Sequence, residues 1–177
     1  MNKVGFLNNE RNNAMKELDK GLSISVTGPL KTEALRRFSR QINDWDQALP
    51  DVEPLVLDFG LNDFYSTGLI EYWIANETEA GYCGKYLFVF DGQSCPIHRH
   101  REKVETFFIV KGRTRMTLDG ASMEMNPGQS LRVETGQKHG FTGIGPCLLL
   151  ELSCPCFIDD NYFENRCIPI GGNQADA

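Results

Sequence analysis

The chain has 177 residues, 41% hydrophobic and 24% charged, a balance typical of one soluble domain with a sizeable core. Its net charge of −6 argues against nucleic acid or an anionic membrane as a partner, because both favour a basic protein surface. No apolar run approaches the roughly 20 residues of a membrane span, and the first residues lack the apolar core of a signal peptide. We therefore expect a cytoplasmic protein.

Residues 1–50 are predicted to form a helical N-terminal extension. Gly21 follows a charged segment and is interpreted as the end of a first helix. Farther on, apolar residues recur at spacings of 3 and 4, which predicts an amphipathic helix with Thr32 as its candidate N-cap. The apolar residues of this helix are Leu35, Phe38, Ile42, Trp45 and Leu49.

From residue 51 the pattern changes to short apolar runs. Runs such as KYLFVFD, ETFFIV, RTRMTL and CLLLELS have the length of strands, and turn sequences such as LDG and NPG separate them. Many short strands at regular intervals predict an antiparallel barrel or sandwich. We expect one mainly β domain overall, with the helical extension at 1–50 and the β body at 51–177.

Six cysteines are present, and no two of them have the C-x-x-C spacing of a zinc or redox motif. In a cytoplasmic chain of this size we expect them to be reduced and mostly buried thiols.

The three histidines of the chain are the strongest chemical signal. His98 and His100 are two residues apart, so in an extended strand they project from the same face. Glu105 begins the next apolar run, and His139 precedes another. Three imidazoles and a carboxylate are a plausible ligand set for a divalent first-row metal. An H-x-H pair by itself, however, is more often part of a solvated loop.

The glycines around these residues resemble the two motifs of the cupin family. The spacing of the first motif is met by Gly92, His98, His100, Glu105 and Gly112. The spacing of the second motif is met by Gly128, Gly136 and His139. Glu134 replaces a proline of the second motif, and Gly143 replaces its asparagine. The resemblance implies a cupin-type antiparallel β-barrel (jelly roll) in which His98, His100, Glu105 and His139 bind one metal ion.

A longer resemblance covers roughly residues 55–172 and points to the D-lyxose isomerase family of cupins. It is carried by segments such as LDFGLNDFYSTGLIEYWIAN, KYLFVFDGQSCPIHRHREKVE and NPGQSLRV. The resemblance implies an enzyme that interconverts D-lyxose and D-xylulose, or D-mannose and D-fructose, as a homodimer. It implies manganese as the metal, with zinc, iron, cobalt or nickel as alternatives, and it gives Lys103 an active-site role.

One position departs from that family. Ile168 stands where the family carries a catalytic glutamate, and an isoleucine cannot transfer a proton. Glu151, in an apolar run where burial would raise its pKa, and Glu164, nearer in sequence, are the alternative bases. Two other functions stay open, because the fold does not decide the chemistry: a non-catalytic, metal-containing sugar-binding cupin and an iron-dependent cupin oxygenase.

Overall fold

The computed structural model describes residues 16–172. Helix α1 covers residues 16–23, and helix α2 covers Gly28–Asp44. The strands within this described part are β1 (Leu55–Leu57), β2 (Leu69–Glu77), β3 (Tyr82–Val89), β4 (Ser94–Arg99), β5 (Glu105–Leu118), β6 (Ala121–Met125), β7 (Ser130–Val133), β8 (His139–Ser153) and β9 (Tyr162–Phe163). A short 3₁₀ helix, Ile158–Asp160, precedes β9.

These strands form one curled sheet in the order β1-β2-β3-β8-β4-β9. Strand β5 pairs with β8 along its length and carries β6 and β7 on its other side, and all pairings of the named strands are antiparallel. A parallel bridge between Thr67 and Ser94 brings the segment before β2 back to β4. The sheet thereby curls into an open barrel, which confirms the predicted mainly β, antiparallel cupin-type fold.

The sheet buries a separate apolar cluster on each face. Neighbouring residues of one strand alternate between the clusters, as Leu87 and Phe88 do in β3. The inner cluster lies around the barrel cavity. On the outer face, α2 contributes Phe38, whose ring lies 4.8 Å from that of Phe88 in an edge-to-face contact. The amphipathic helix therefore packs outside the barrel, as its apolar spacing predicts.

Both predicted helix boundaries were wrong. Gly21 lies inside α1, where a side chain would overlap Leu55, so this glycine permits close packing on β1. Thr27 is the N-cap of α2, and Thr32 lies in the first turns with its hydroxyl donating to the Gly28 carbonyl at 3.3 Å. The beginning of the first predicted helix lies outside the described residues.

The cysteine prediction is confirmed. All six cysteines are free thiols, and the buried ones are Cys83, Cys95, Cys147 and Cys156. Burial raises the pKa of both Cys83 and Cys147 to about 12. Such thiols stay protonated and act as small apolar side chains. The helices of the described region are all too short or too polar to cross a membrane.

Two apolar runs that the sequence separates form one strand. ETFFIV and RTRMTL both belong to β5, whose register with β8 shifts on either side of Gly112. Gly112 has a φ of 73°, and a Cβ atom there would overlap the carbonyl oxygen of Pro146. Only glycine accommodates both the left-handed backbone and this close approach, so the strand bends here without ending.

We expect Gly112→Ala to lower the free energy of unfolding by about 3 kcal/mol, through backbone strain and overpacking together. Gly120→Ala is the matched control, because Gly120 has a φ of 82° and open space where its Cβ would lie. Its cost should be about 1 kcal/mol, from backbone strain alone. Urea denaturation of both variants measures the difference, and equal costs would contradict the packing argument.

Candidate metal centre

Three different strands bring the predicted ligand residues together. His98 lies in β4, directly opposite His139, the first residue of β8. His100 follows β4, and Glu105 opens β5. All four side chains are buried, and their potential ligand atoms lie within 4.8 Å of one another. The sequence prediction that these four residues share one site is thus met by the geometry.

Backbone carbonyls determine the orientation of each imidazole. The Nδ1 atoms of His98, His100 and His139 lie 2.9, 2.8 and 3.1 Å from the carbonyl oxygens of residues 96, 160 and 137, respectively. A carbonyl oxygen only accepts hydrogen bonds, so each Nδ1 carries the proton. The Nε2 atoms therefore keep their lone pairs, which is the form of histidine that binds metals.

The Nε2 atoms of His100 and His139 face the Glu105 carboxylate. His139 Nε2 lies 2.8 Å from Glu105 Oε2, and His100 Nε2 lies 3.4 Å from Glu105 Oε1. Among the described residues, no hydrogen-bond donor reaches either Nε2 atom or Glu105 Oε2. Buried acceptors at such distances repel each other unless a cation lies between them. Three neutral imidazoles and one carboxylate fit a divalent metal ion.

The charge states of two of these residues agree with that fit. Burial and the neighbouring His139 and His100 hold the pKa of His98 well below its usual range, so the ring is neutral. Burial alone would raise the pKa of Glu105, but the Lys103 ammonium beside it holds that pKa well below its usual range. Glu105 is therefore an ionised carboxylate despite its burial.

Asp160 fixes the loop between His100 and Glu105. Its carboxylate accepts hydrogen bonds from the backbone N–H groups of Arg101, Glu102 and Lys103 at 2.9, 3.3 and 3.2 Å. Its carbonyl oxygen accepts the proton of His100 Nδ1. One residue of the 3₁₀ helix thus orients both a candidate ligand and the segment that leads to Lys103.

Lys103 belongs to a chain of buried and partly buried charges in the barrel interior. Its ammonium contacts Glu105 on one side and lies 3.1 Å from Glu151 Oε1 on the other. Glu151 Oε2 lies 3.5 Å from the ammonium of Lys85, which in turn lies 3.7 Å from Glu71 Oε2. Carboxylates and ammonium groups therefore alternate along the chain, and its two ends are the carboxylates of Glu105 and Glu71. We call these five residues the charge chain.

A cavity that is partly open to solvent lies beside the cluster. Its wall includes His98, all five residues of the charge chain, and the aromatic rings of Phe59, Phe107, Phe141 and Phe163. A second cavity shares Glu71, Lys85 and Phe163 with the first. Apolar rings combined with a few convergent charged groups are typical of a small-molecule site.

The candidate bases lie in different surroundings. Glu151 lines the cavity, but its pKa is lowered: burial acts to raise it, and the ammonium groups of Lys103 and Lys85 outweigh that effect. The sequence-based expectation of a raised pKa was wrong. Glu164 is exposed and lies 2.7 Å from Lys138 at the surface, which removes it as a candidate. Ile168 is buried in the inner apolar cluster.

Sequence reasoning missed Glu71, Lys85 and Asp160. Glu71 and Lys85 lie within apolar runs, at inward positions between Leu69 and Trp73 and between Cys83 and Leu87. A charged residue at an inward position of an alternating strand was the available signal. Asp160 follows a turn with no regular pattern, and nothing local in the sequence indicates its role.

Two family profiles match the chain. The profile described as the cupin domain matches residues 88–153, and the profile described as D-lyxose isomerase matches residues 55–119. The second match covers all of β1–β5 and contains three of the four clustered residues, His98, His100 and Glu105.

Two curated relatives carry isomerase names. A D-lyxose/D-mannose isomerase of Thermosediminibacter oceani is 31% identical, over 49% of this chain and 61% of that protein. A D-lyxose ketol-isomerase of Thermofilum sp. is 32% identical, over 66% of this chain and 67% of that protein. The chain thus spans less than two thirds of the first relative's length and about two thirds of the second's.

A solved structure has a fold similar to that of this chain. An L-ribose isomerase mutant of Acinetobacter sp. DL28, crystallised in complex with L-ribose, aligns with a TM-score of 0.65 over 82% of this chain and 95% of that chain. The sequence identity is 14%, so this likeness concerns the fold alone.

We expect Asp160→Ala to weaken the binding of a divalent metal by ~10–100-fold, because the Asp160 carboxylate holds the loop between the candidate ligands His100 and Glu105, while the backbone carbonyl that orients His100 is kept. Asp159→Ala is the matched control, since the Asp159 side chain is 70% exposed and pairs with Lys20. Competition against a chromophoric chelator gives both affinities. Equal affinity in the two variants would show that Asp160 does not support the site.

Proposed function

Because the chain belongs to the D-lyxose isomerase family of cupins, we propose that it is a metal-dependent aldose–ketose isomerase acting on a small sugar. D-Lyxose and D-mannose, together with their ketoses, are the proposed substrates, and the names of the two curated relatives support this choice. The observation that carries the proposal is the buried cluster of three histidines and one glutamate at the wall of a cavity that also contains Lys103.

In this proposal His98, His100, Glu105 and His139 hold the metal ion. Their Nε2 lone pairs and the Glu105 carboxylate supply the donors, and the buried acceptors that face one another support this assignment. When bound, a divalent metal polarises the oxygens of a sugar and stabilises negative charge on them. Manganese is the proposed ion, and zinc, iron, cobalt and nickel suit the same donor set.

Lys103 is proposed to act on the sugar oxygens. Isomerisation moves one proton between the neighbouring carbons C1 and C2 and another between their oxygens. The Lys103 ammonium lines the cavity next to Glu105 and is held between two carboxylates. Burial lowers the pKa of Lys103, but Glu105 and Glu151 outweigh it and raise that pKa above its usual value. Lys103 is therefore a donor that can protonate or hydrogen-bond the developing alkoxide.

The chemistry of the cavity wall suits a small polyhydroxylated ligand. Charged groups on one part of the wall can bind hydroxyl groups, while aromatic rings such as Phe59 and Phe163 can cover the C–H faces of a sugar. The homodimer implied by the family resemblance stays a prediction.

A substrate screen tests the proposed function. The purified protein, loaded with manganese, should convert D-lyxose to D-xylulose or D-mannose to D-fructose, and removal of the metal with a chelator should abolish the conversion. Ketose formation is measured by chromatography. Sugar binding without conversion would replace the proposal with a non-catalytic sugar-binding cupin. Oxygen consumption by the iron-loaded protein would replace it with an oxygenase.

We expect Lys103→Met to keep the metal and to lower kcat by ~10²–10⁴-fold, since it removes a positioned proton donor. Lys31→Met is the control, because Lys31 pairs with Glu53 at the outer surface. Elemental analysis gives the metal content, and thermal unfolding shows whether the buried carboxylates left behind destabilise the fold. Full activity in Lys103→Met would show that the proposed role is wrong.

A further inference from the structure

The proposed isomerisation needs a group that removes a proton from carbon, and the following inference rests on that proposed function. Lys103 does not supply this group, because an ammonium donates hydrogen bonds and accepts none. Carboxylates are common bases for such a step. The carboxylates that line the cavity, within the described residues, are those of Glu71, Glu105 and Glu151.

Glu105 and Glu151 are both occupied by other contacts. Glu105 belongs to the histidine cluster and also contacts Lys103. Glu151 Oε1 accepts hydrogen bonds from Lys103 Nζ at 3.1 Å and from Ser153 Oγ at 2.9 Å. Its other oxygen, Oε2, lies 3.5 Å from Lys85 Nζ. With an ammonium group at each oxygen, Glu151 is poorly suited to accept a further proton.

Glu71 is different, because one of its oxygens is left for a ligand. Its Oε2 accepts a hydrogen bond of 2.7 Å from Trp73 Nε1 and lies 3.7 Å from Lys85 Nζ. Within the described structure Glu71 Oε1 accepts no hydrogen bond. It is also not one of the solvent-inaccessible side-chain oxygens and nitrogens that lack a hydrogen-bond partner. The carboxylate is thus held through one oxygen, its other oxygen is left without a protein donor, and the residue lines the cavity.

The topology places Glu71 and His98 at the same level of the barrel. Strands β2 and β4 start on either side of the parallel bridge between Thr67 and Ser94, and both run away from it in the same direction. Glu71 and His98 each lie four residues beyond this bridge. Both line the same cavity, so a sugar held beside His98 and Glu105 shares that cavity with the Glu71 carboxylate.

We propose that Glu71 is the base that transfers the proton between C2 and C1 of the sugar. The Glu71 carboxylate takes the proton from C2 of the aldose, and the electron pair of that C–H bond becomes the C1–C2 double bond of the enediol. The carbonyl oxygen at C1 gains the proton that Lys103 donates. Glu71 then returns its proton to C1, while the hydroxyl at C2 loses its proton to Lys103 and becomes the ketone. No other reactant is consumed.

This assignment also accounts for the departure at residue 168. Ile168 lies in the inner apolar cluster, where it packs as a hydrophobic side chain. A carboxylate at the opposite end of the charge chain from Glu105 makes a base at residue 168 unnecessary. The catalytic carboxylate then comes from β2, a strand that precedes both motifs in sequence.

The test compares manganese-loaded wild type with Glu71→Gln and Glu71→Asp, on D-lyxose and D-mannose in deuterated water. Glutamine keeps the acceptor for Trp73 Nε1 and removes the base. We expect Glu71→Gln to lose ~10²–10⁴-fold in kcat and to stop placing deuterium on C2 of the recovered aldose. Manganese content and sugar affinity, followed by tryptophan emission of Trp73 and Trp45, should stay unchanged. Glu71→Asp keeps the charge beside Lys85 and should retain part of the rate.

Glu77→Gln at the end of the same strand is the control and should behave as wild type. If wild type converts sugars and Glu71→Gln keeps kcat within about a factor of three, Glu71 is not the base. Loss of kcat in Glu151→Gln alone, with manganese retained, would transfer the role to Glu151. Failure of wild type to convert or deuterate any sugar would overturn the proposed function itself and Glu71 as its base.

Discussion

The structure depends on the buried carboxylate of Glu105. An ionised carboxylate is costly to bury unless opposite charge compensates it, and Glu105 is 1% exposed. Lys103 provides one positive neighbour, while the lone pairs of His100 and His139 leave the remaining side open to a cation. The two strands and the loop that supply these groups are all positioned around this one charge. The site is therefore formed by strands of the sheet together with the loop that Asp160 holds in place.

The charge chain extends the pairing of opposite charges from Glu105 through the barrel interior. Each of its ammonium groups lies between two carboxylates, and Glu151 at the centre lies between two ammonium groups. Replacing such a network by apolar side chains of similar size is often neutral or stabilising. The presence of this network is thus weak evidence that it stabilises the fold, and better evidence that it takes part in a reaction. The cavity beside it and the free oxygen of Glu71 agree with that interpretation.

The sequence predicted the parts of the site that depend on spacing along strands. The four clustered residues converge because strand alternation and turn glycines determine the face of the sheet on which each side chain lies. Both features can be recognised from residue spacing in the sequence. The four residues are His98, His100, Glu105 and His139. Contacts between different helices and strands could not be recognised from the sequence. Gly21 looked like a helix end, yet it lies inside α1 because β1 passes close to it. The pKa of Glu151 was misjudged for the same reason, since two lysines from other strands outweigh its burial.

The net charge of the interior explains how one arrangement can serve both metal binding and isomerisation. Three carboxylates and two ammonium groups leave the charge chain with one net negative charge, which favours a cation at the histidine cluster. A divalent ion would reverse this to one net positive charge. When Glu71 takes the proton from C2 it becomes neutral, and the negative charge of the developing enediolate would lie beside Lys103 and the cation, so the total charge of the cavity stays at one positive charge. A neutral sugar gains less from the same field, so the interior is complementary to the reacting state more than to the substrate.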